Sequence, residues 1–307
     1  MLSERHRLPE VDLRDHEKVE DSIARVVEAM QISGACIVRT MFTEAMANQV
    51  REDLEKHVIA AGNFGEGSGT TSVVTGLLKK SNDYAVGMVG HEVFQKVVDY
   101  FLNFFWHERH CDHQATTRQH PWCLCAPRAA PQPLHRDDVD RANVQSAVEK
   151  YVLGRDTNVT MLVALDKTTH ANGATRVIPG SHLWDYNRPI PSTDDGSLLD
   201  AELSPGDSLF ILGSVIHGAG GNSTDSARAQ TAIFATRGRL RQMENQFLAC
   251  DMETVREFPL WLQRFMGYSI GQPATGWVSK KDPLLVVSLE SEAVEELWDE
   301  SFTKFHF

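Results

Sequence analysis

Residues 131–138 read Pro-Gln-Pro-Leu-His-Arg-Asp-Asp, and residues 213–218 read Gly-Ser-Val-Ile-His-Gly. His135 and Asp137 are two positions apart, so on an extended segment their side chains leave the same face. His217, delivered by a strand alongside, would complete a set of two imidazoles and one carboxylate on one side of a metal ion. This facial arrangement, with the opposite positions open, is typical of non-haem Fe(II) oxygenases.

An arginine lies eleven residues after His217, where residues 227–234 form an apolar, strand-like run. We expect this run to return antiparallel past the histidine. A guanidinium binds both oxygens of a carboxylate at once. A dicarboxylic cosubstrate could therefore chelate the iron with its keto-acid end and rest its far carboxylate on Arg228. A His-x-Asp pair alone is common by chance, and it is the later histidine and arginine that favour a metal site.

Together these residues resemble the H-x-D…H…R pattern of the phytanoyl-CoA dioxygenase-like Fe(II)/2-oxoglutarate oxygenases. Residues 172–182, Asn-Gly-Ala-Thr-Arg-Val-Ile-Pro-Gly-Ser-His, are similar to the N-G…P-G-S-H segment of that family. The resemblance covers about residues 20 to 238. Its nearest branch is the fungal enzymes that act on meroterpenoids and prenylated indole alkaloids.

The resemblance implies a set of ligands and a chemistry. His135, Asp137 and His217 would bind Fe(II), with 2-oxoglutarate and O₂ as cosubstrates and Arg228 as the anchor for 2-oxoglutarate. It further implies that Gln132 contacts the cosubstrate and that Thr175 hydrogen-bonds its carboxylate, although Thr175 could equally be an ordinary strand threonine. The implied reaction converts 2-oxoglutarate to succinate and CO₂ and removes hydrogen from a C–H bond. Hydroxylation, desaturation, rearrangement and endoperoxidation all occur in that branch, on bulky polycyclic substrates.

The pattern of short strands after leading helices predicts an all-β core with flanking helices, a cupin-like jelly roll known as the double-stranded β-helix. Apolar spacing predicts helices over residues 21–31, 42–59 and 91–105. Residues 156–165 have the continuous apolar character of a buried strand, and a strand over 208–216 would deliver His217. We expect one domain over residues 1–307, with a core at about 20–238 and a helical extension at 239–307.

The formal net charge of −12 and the pI near 5.5 argue against nucleic acid or an anionic membrane as a partner. No run approaches the roughly 20 apolar residues of a membrane helix. Five irregularly spaced cysteines are more typical of a reducing compartment than of a disulfide framework. A cytoplasmic protein is therefore expected.

Several interpretations stay open at this level. The glycine-rich residues 61–71 are a surface loop or a lid, and His182 is expected to order its loop rather than bind metal. The resemblance favours a homodimer. One alternative function is an acyl-CoA hydroxylase of the phytanoyl-CoA type. It needs a basic groove for the CoA phosphates, and Lys79-Lys80 is the only adjacent lysine pair near the expected pocket mouth. Another is a metal-binding jelly roll without oxygenase activity, an isomerase or ligand carrier, for which Arg228 would have no use.

Overall fold

The computed structural model describes residues 7–15, 17–57, 71–106, 109–111, 115–117, 122–139, 143–271 and 275–287. Its strands are β1 (Glu10–Asp12), β2 (Ala35–Arg39), β3 (Thr71–Val74), β4 (Phe104–Trp106), β5 (Arg109–Cys111), β6 (Ala115–Thr117), β7 (Trp122–Cys125), β8 (Asn158–Ala164), β9 (Thr175–Val177), β10 (Leu199–Ala201), β11 (Ser208–Leu212), β12 (His217–Ala219) and β13 (Arg228–Arg237). Its α-helices are α1 (Val19–Ser33), α2 (Glu44–Glu55), α3 (Glu92–Leu102), α4 (Gln246–Ala249), α5 (Met252–Glu257), α6 (Leu260–Phe265) and α7 (Leu284–Val287).

Two sheets carry the architecture. The major sheet has the strand order β1-β2-β11-β8-β13-β7-β3, and β6 also pairs with β13. The minor sheet has the order β10-β9-β12, and a short hairpin joins β4 to β5. All the pairings within the two main sheets are antiparallel except that of β1 with β2. The predicted β core with flanking helices is therefore present.

The flanking helices cover the outer face of the major sheet. In α1, Val26, Val27 and Met30 are buried, and Gly34 ends the helix in the left-handed region at φ 79° while its N–H bonds to the Met30 carbonyl at 2.8 Å. The helix α3 packs on α1 and on β8, with its Phe94 ring 6.2 Å from that of Phe210 in β11. Apolar burial on one stripe of each helix supplies the main favourable term for this packing.

The three predicted helices lie where expected: α1 is longer than the predicted 21–31, whereas α2 and α3 are shorter than predicted. The helix predicted over residues 42–59 begins after Thr43, whose hydroxyl caps the Met46 N–H, and α2 ends at Glu55. The helix predicted over 91–105 ends at Leu102, because the chain turns extended at Asn103 and enters β4. Residues 61–70 of the predicted surface loop or lid, and the part of the predicted helical extension after residue 287, lie outside the described residues.

The expectation that one strand over residues 208–216 delivers His217 is wrong. The strand β11 ends at Leu212, and a turn closed by the Val215 N–H on the Leu212 carbonyl carries the chain into the minor sheet. The turn is placed by Gly213, where any side chain would collide with the amide of Asn158. His217 therefore begins a new strand, β12, in the other sheet.

We expected the strand that begins at Arg228 to lie beside the strand of His217, and this expectation is also wrong. The pairing partners of β13 are β8 on one side and β7 and β6 on the other, whereas β12 pairs with β9. Arg228 therefore belongs to the major sheet, which faces the minor sheet that carries His217. An apolar strand could be buried in either sheet, so the pattern of apolar residues alone could not predict which sheet this strand joins.

The described part of the C-terminal extension is helical and packs onto the core. Leu262, Phe265 and Met266 belong to the same buried hydrophobic cluster as β8 and β11, and the Phe265 ring lies 6.1 Å from that of Phe94. None of the helices within the described ranges has the length and apolar character needed to span a bilayer.

Candidate metal centre

His135 and His217 lie directly opposite one another across a pair of backbone hydrogen bonds. The His135 N–H donates to the His217 carbonyl at 2.9 Å, and the His217 N–H donates back to the His135 carbonyl at 3.0 Å. Side chains of directly opposed residues leave the same face of an antiparallel pair. The two imidazole centroids are accordingly 4.6 Å apart. The segment that holds His135 thus extends the minor sheet beside β12.

Asp137 completes the cluster. Its Oδ1 lies 3.7 Å from His135 Nε2, and its Oδ2 lies 3.8 Å from His217 Nε2. One donor atom from each residue lies within 4.8 Å of the other two, and this is the one such group of three or more potential ligands among the residues that the structure describes. The sequence-predicted ligands therefore converge on a volume the size of a single ion.

The hydrogen bonds of the two imidazoles fit metal binding. His135 Nδ1 lies 3.0 Å from the Pro133 carbonyl, and His217 Nδ1 lies 3.0 Å from the Val215 carbonyl. A carbonyl only accepts, so each Nδ1 carries the proton and each Nε2 presents its lone pair to the centre. Burial lowers the pKa of His217 and outweighs the Asp137 carboxylate, which would raise it. A neutral imidazole is the form that binds a metal.

Arg136 and Asp138, the two sequence neighbours of Asp137, fix this segment through polar contacts. Arg136 Nε donates to the Ser214 carbonyl at 2.9 Å, and its guanidinium stacks 4.3 Å above the Tyr186 ring. The Asp138 carboxyl accepts from Tyr186 at 2.7 Å and from Asn143 at 2.6 Å. Burial raises the pKa of Asp138 to about 7. The two ligands therefore project from a backbone held on its other side by buried polar contacts.

A threonine that the sequence analysis did not single out contacts the centre. Thr160 in β8 donates its hydroxyl to Asp137 Oδ2 at 3.1 Å. This contact identifies the face of the major sheet that lines the centre. Thr160 and Leu162 lie on this face, and they pair with Phe234 and Ala232 of β13, respectively. The available signal was a hydroxyl within the otherwise apolar residues 159–164.

Arg228 lies on that same face of β13 and is only 2% exposed. Its Nη2 donates to the Gly173 carbonyl at 2.6 Å, and its Nη1 donates to the side-chain oxygen of Gln230. Gly173 has φ +90°, and a side chain there would approach the Gly220 carbonyl. The guanidinium is therefore held at the junction of the two sheets by a backbone turn that requires glycine.

Gln132 and Thr175 both lie close to β12. The Gln132 side-chain oxygen accepts from the Ala219 N–H at 3.2 Å, and the Gln132 backbone N–H donates to the Ala219 carbonyl at 2.9 Å. Thr175 is buried opposite Ala219 in the β9–β12 pair, two positions from the pairing of Val177 with His217, and so shares the face of the histidine. Thr175 thus faces the centre, whereas the Gln132 amide braces the ladder.

His182 lies outside the cluster. It is buried in a single 3₁₀ turn, and its Nε2 lies 3.0 Å from the Gln31 carbonyl. It connects this turn to the end of α1, the structural role expected for it.

The fold matches the double-stranded β-helix of iron/2-oxoglutarate oxygenases of known structure. The structure of HygX from Streptomyces hygroscopicus with nickel and 2-oxoglutarate bound superposes with a TM-score of 0.55 at 15% identity, covering 71% of this chain and 88% of that one. The non-heme alpha-ketoglutarate-dependent carbocyclase SnoK from nogalamycin biosynthesis gives 0.52 at 15% identity, covering 73% and 85%.

The chain belongs to the phytanoyl-CoA dioxygenase family, whose model matches residues 30–230. Its curated relatives include dioxygenase cnsJ of Penicillium expansum, 42% identical over 91% of this chain and 86% of the relative, and dioxygenase peniF of Penicillium patulum, 33% identical over 87% and 89%. The protein is thus an Fe(II)- and 2-oxoglutarate-dependent dioxygenase. This membership removes the alternative of a jelly roll without oxygenase activity.

Proposed function

We propose that His135, Asp137 and His217 are the protein ligands of the iron and that the enzyme oxidises a C–H bond of a polycyclic natural product in fungal secondary metabolism. The observation that supports the ligand assignment most is the convergence of two Nε2 atoms and one carboxylate, each imidazole being oriented by a backbone carbonyl. These donors hold the metal from one side and leave the opposite positions to cosubstrate and O₂.

Arg228 is proposed to bind the far carboxylate of 2-oxoglutarate. A buried guanidinium fixed by Gly173 and Gln230 presents its planar donors in a set orientation. Thr175, on the face of His217, and Gln132, whose side-chain oxygen accepts from the Ala219 N–H, are proposed as further contacts for the cosubstrate. When bound, Fe(II) would activate O₂, the oxidant that removes hydrogen from the substrate, while 2-oxoglutarate would supply two electrons as it is converted to succinate and CO₂. The protein side chains position both reactants and exclude water.

The lining of the centre supports an apolar substrate. Leu162, Ala232 and the partly exposed Phe234 share the face that carries Thr160. The relatives cnsJ, peniF and himG come from Penicillium and Aspergillus. HygX has been solved with hygromycin B bound, and SnoK is described as part of nogalamycin biosynthesis. A meroterpenoid or prenylated alkaloid is the substrate class we propose.

An acyl-CoA substrate is less well supported. Such a substrate needs several cations for its phosphates. Lys80 donates to the Thr75 carbonyl, and its neighbourhood includes the Glu244 carboxylate. Burial lowers the pKa of Lys80, which weakens it further as a phosphate ligand.

The test is an assay of succinate formation. Purified protein with Fe(II), ascorbate and 2-oxoglutarate is expected to form succinate slowly without substrate. A prenylated indole alkaloid or a meroterpenoid should accelerate it and yield a product that has gained oxygen or lost hydrogen. Acceleration by phytanoyl-CoA, with no response to any polycyclic compound, would overturn the proposed substrate class.

We also propose a homodimer. Exposed apolar side chains are concentrated on the C-terminal extension, at Met243, Phe247, Leu248, Met252 and Trp277. Sedimentation at micromolar protein is expected to give twice the chain mass of 34.3 kDa. A monomeric mass would remove the proposal.

A further inference from the structure

A carboxylate ligand needs a fixed orientation as well as a fixed position. The terminal torsion of an aspartate is broad and roughly two-fold, so the backbone of residue 137 does not by itself decide which oxygen faces the metal. Metal-binding carboxylates are usually hydrogen-bonded by a neighbouring group for this reason. In this chain the hydroxyl of Thr160 lies 3.1 Å from Asp137 Oδ2.

A hydroxyl is unexpected in the buried strand that carries Thr160. All seven residues of β8 are buried, Thr160 is 1% exposed, and its neighbours Val159, Met161 and Leu162 are apolar. A buried hydroxyl is costly unless it has a hydrogen-bond partner. Packing alone would be satisfied by valine, which has the same shape. The hydroxyl therefore has a specific partner to serve.

Two other buried threonines, Thr236 and Thr168, have a different kind of partner. Thr236 donates to the Thr157 carbonyl at 2.9 Å, and Thr168 donates to the Asp166 carbonyl at 3.2 Å. These contacts are to the backbone and serve the fold. Thr160 donates instead to a side-chain carboxylate 23 positions earlier in the sequence, at the metal centre.

The scaffold around Thr160 is rigid. It stands between Ile211 of β11 and Phe234 of β13 in an antiparallel sheet, with ladder bonds on both sides. A β-branched side chain on such a strand has a restricted first torsion. The hydroxyl is therefore set by the major sheet, whereas Asp137 belongs to the segment beside the minor sheet.

We infer that Thr160 is a positioning residue for the metal: its hydroxyl holds Asp137 Oδ2 and so fixes the orientation in which the carboxylate meets the ion. This inference rests on the proposed ligand set. It adds a contact that ties the two sheets together at the metal and makes the geometry of the centre depend on β8.

The test compares metal binding by apo protein, measured by anaerobic calorimetric titration with Ni(II), in wild type, Thr160→Val and Thr160→Ser. Valine keeps the shape and removes the donor, so the dissociation constant should rise about 10- to 100-fold. Serine keeps the donor and should restore most of the affinity. The matched control is Thr236→Val, which removes a buried hydroxyl from β13 that bonds a backbone carbonyl, and which should bind Ni(II) as wild type does.

The outcomes separate this inference from the function on which it rests. If wild type binds one Ni(II) and Thr160→Val binds it equally well or more tightly, the role of Thr160 is refuted while the ligand set stands. If wild type and Asp137→Ala bind Ni(II) alike, the ligand set itself fails. Should Thr160→Val not fold, Thr160→Ser decides, because a hydroxyl in place must retain affinity within a few-fold of wild type; a loss as large as that expected for valine would contradict the inference.

Discussion

Each imidazole of the metal centre is oriented by the carbonyl two residues before it. Pro133 serves His135, and Val215 serves His217, both at 3.0 Å. Pro133 has no N–H to place in a ladder. The Ala219 N–H donates to the Gln132 side chain, and the Pro133 carbonyl contacts the His135 imidazole. The residue types of this centre could be predicted from the sequence, since imidazole and carboxylate side chains are metal ligands wherever the fold brings them together.

Replacing His135, Asp137 or His217 by alanine should abolish both iron binding and succinate formation, because each change removes one of three donors to the ion. His170→Ala is the matched control: this exposed histidine lies 3.0 Å from Asp200 and outside the cluster. Anaerobic equilibrium dialysis with Fe(II) and circular dichroism measure binding and fold together. Wild-type turnover in any one of the three variants would refute its assignment as a ligand.

Arg228→Ala should raise the concentration of 2-oxoglutarate required for half-maximal rate. Loss of one partner of a buried charge pair costs about 2 to 5 kcal/mol, and the lower figure corresponds to about 30-fold. Arg228→Lys keeps the charge without the planar fork and should fall between wild type and alanine. The measurement is the 2-oxoglutarate dependence of succinate formation at saturating Fe(II). An unchanged requirement in Arg228→Ala would assign the arginine another role.

The elements around the centre show what the sequence could not determine. The apolar residues of 208–216 are compatible with one long strand, but Gly213 admits the Asn158 side chain and turns the chain into the other sheet. The strand after Arg228 has the same ambiguity, since its apolar pattern does not name its partners. Thr160 was missed because its role depends on a contact between residues 23 positions apart. Periodicity reports local structure, whereas these features are decided by pairing across the molecule.

One asparagine organises the connection from β12 to β13. Asn222 is buried; its Nδ2 donates to the Ala126 carbonyl at 3.0 Å and to the Ser226 carbonyl at 2.9 Å, and its Oδ1 accepts from Thr224. It thereby holds the chain just before Arg228 against the residues that follow β7. The position of the guanidinium depends on this loop as well as on Gly173.

Asn222→Ala should therefore weaken 2-oxoglutarate binding more than it slows turnover at saturating 2-oxoglutarate. It removes the hydrogen bonds from this side chain to the Ala126 and Ser226 carbonyls, so the free energy of unfolding should fall by about 0.5 to 1.5 kcal/mol for each bond lost. The control is Asn187→Ala, at an exposed asparagine in the segment before β10. KM for 2-oxoglutarate, kcat and denaturant unfolding are measured on the same preparations. A loss of stability with KM unchanged would show that the loop does not position Arg228.

At the scale of the whole molecule, one hydrophobic cluster includes residues from α1, the major sheet and the C-terminal helices. We propose on this basis that the chain folds as a single domain. The net charge of −12 bears on solubility rather than on the fold. A single domain predicts one unfolding transition, and binding at one centre should move that transition as a whole.

Metal should stabilise the native state by linkage. An ion that binds only the folded protein adds about 2.7 kcal/mol when its free concentration is 100 times its Kd. Anaerobic Fe(II) or Ni(II) should therefore raise Tm, and a chelator should return it to the apo value. Asp137→Ala should show no such shift, whereas His170→Ala should behave as wild type. Two separate transitions, of which only one moves with metal, would contradict the single-domain proposal.

The most direct measurement is a crystal structure grown anaerobically with Fe(II) and 2-oxoglutarate. Anomalous scattering at the iron edge locates the ion independently of any assumed ligand. The predicted result is one peak bonded to His135 Nε2, His217 Nε2 and the Asp137 carboxylate, with the far carboxylate of 2-oxoglutarate on Arg228. An iron peak bound by other residues, or a cosubstrate whose far carboxylate does not touch Arg228, would contradict the account.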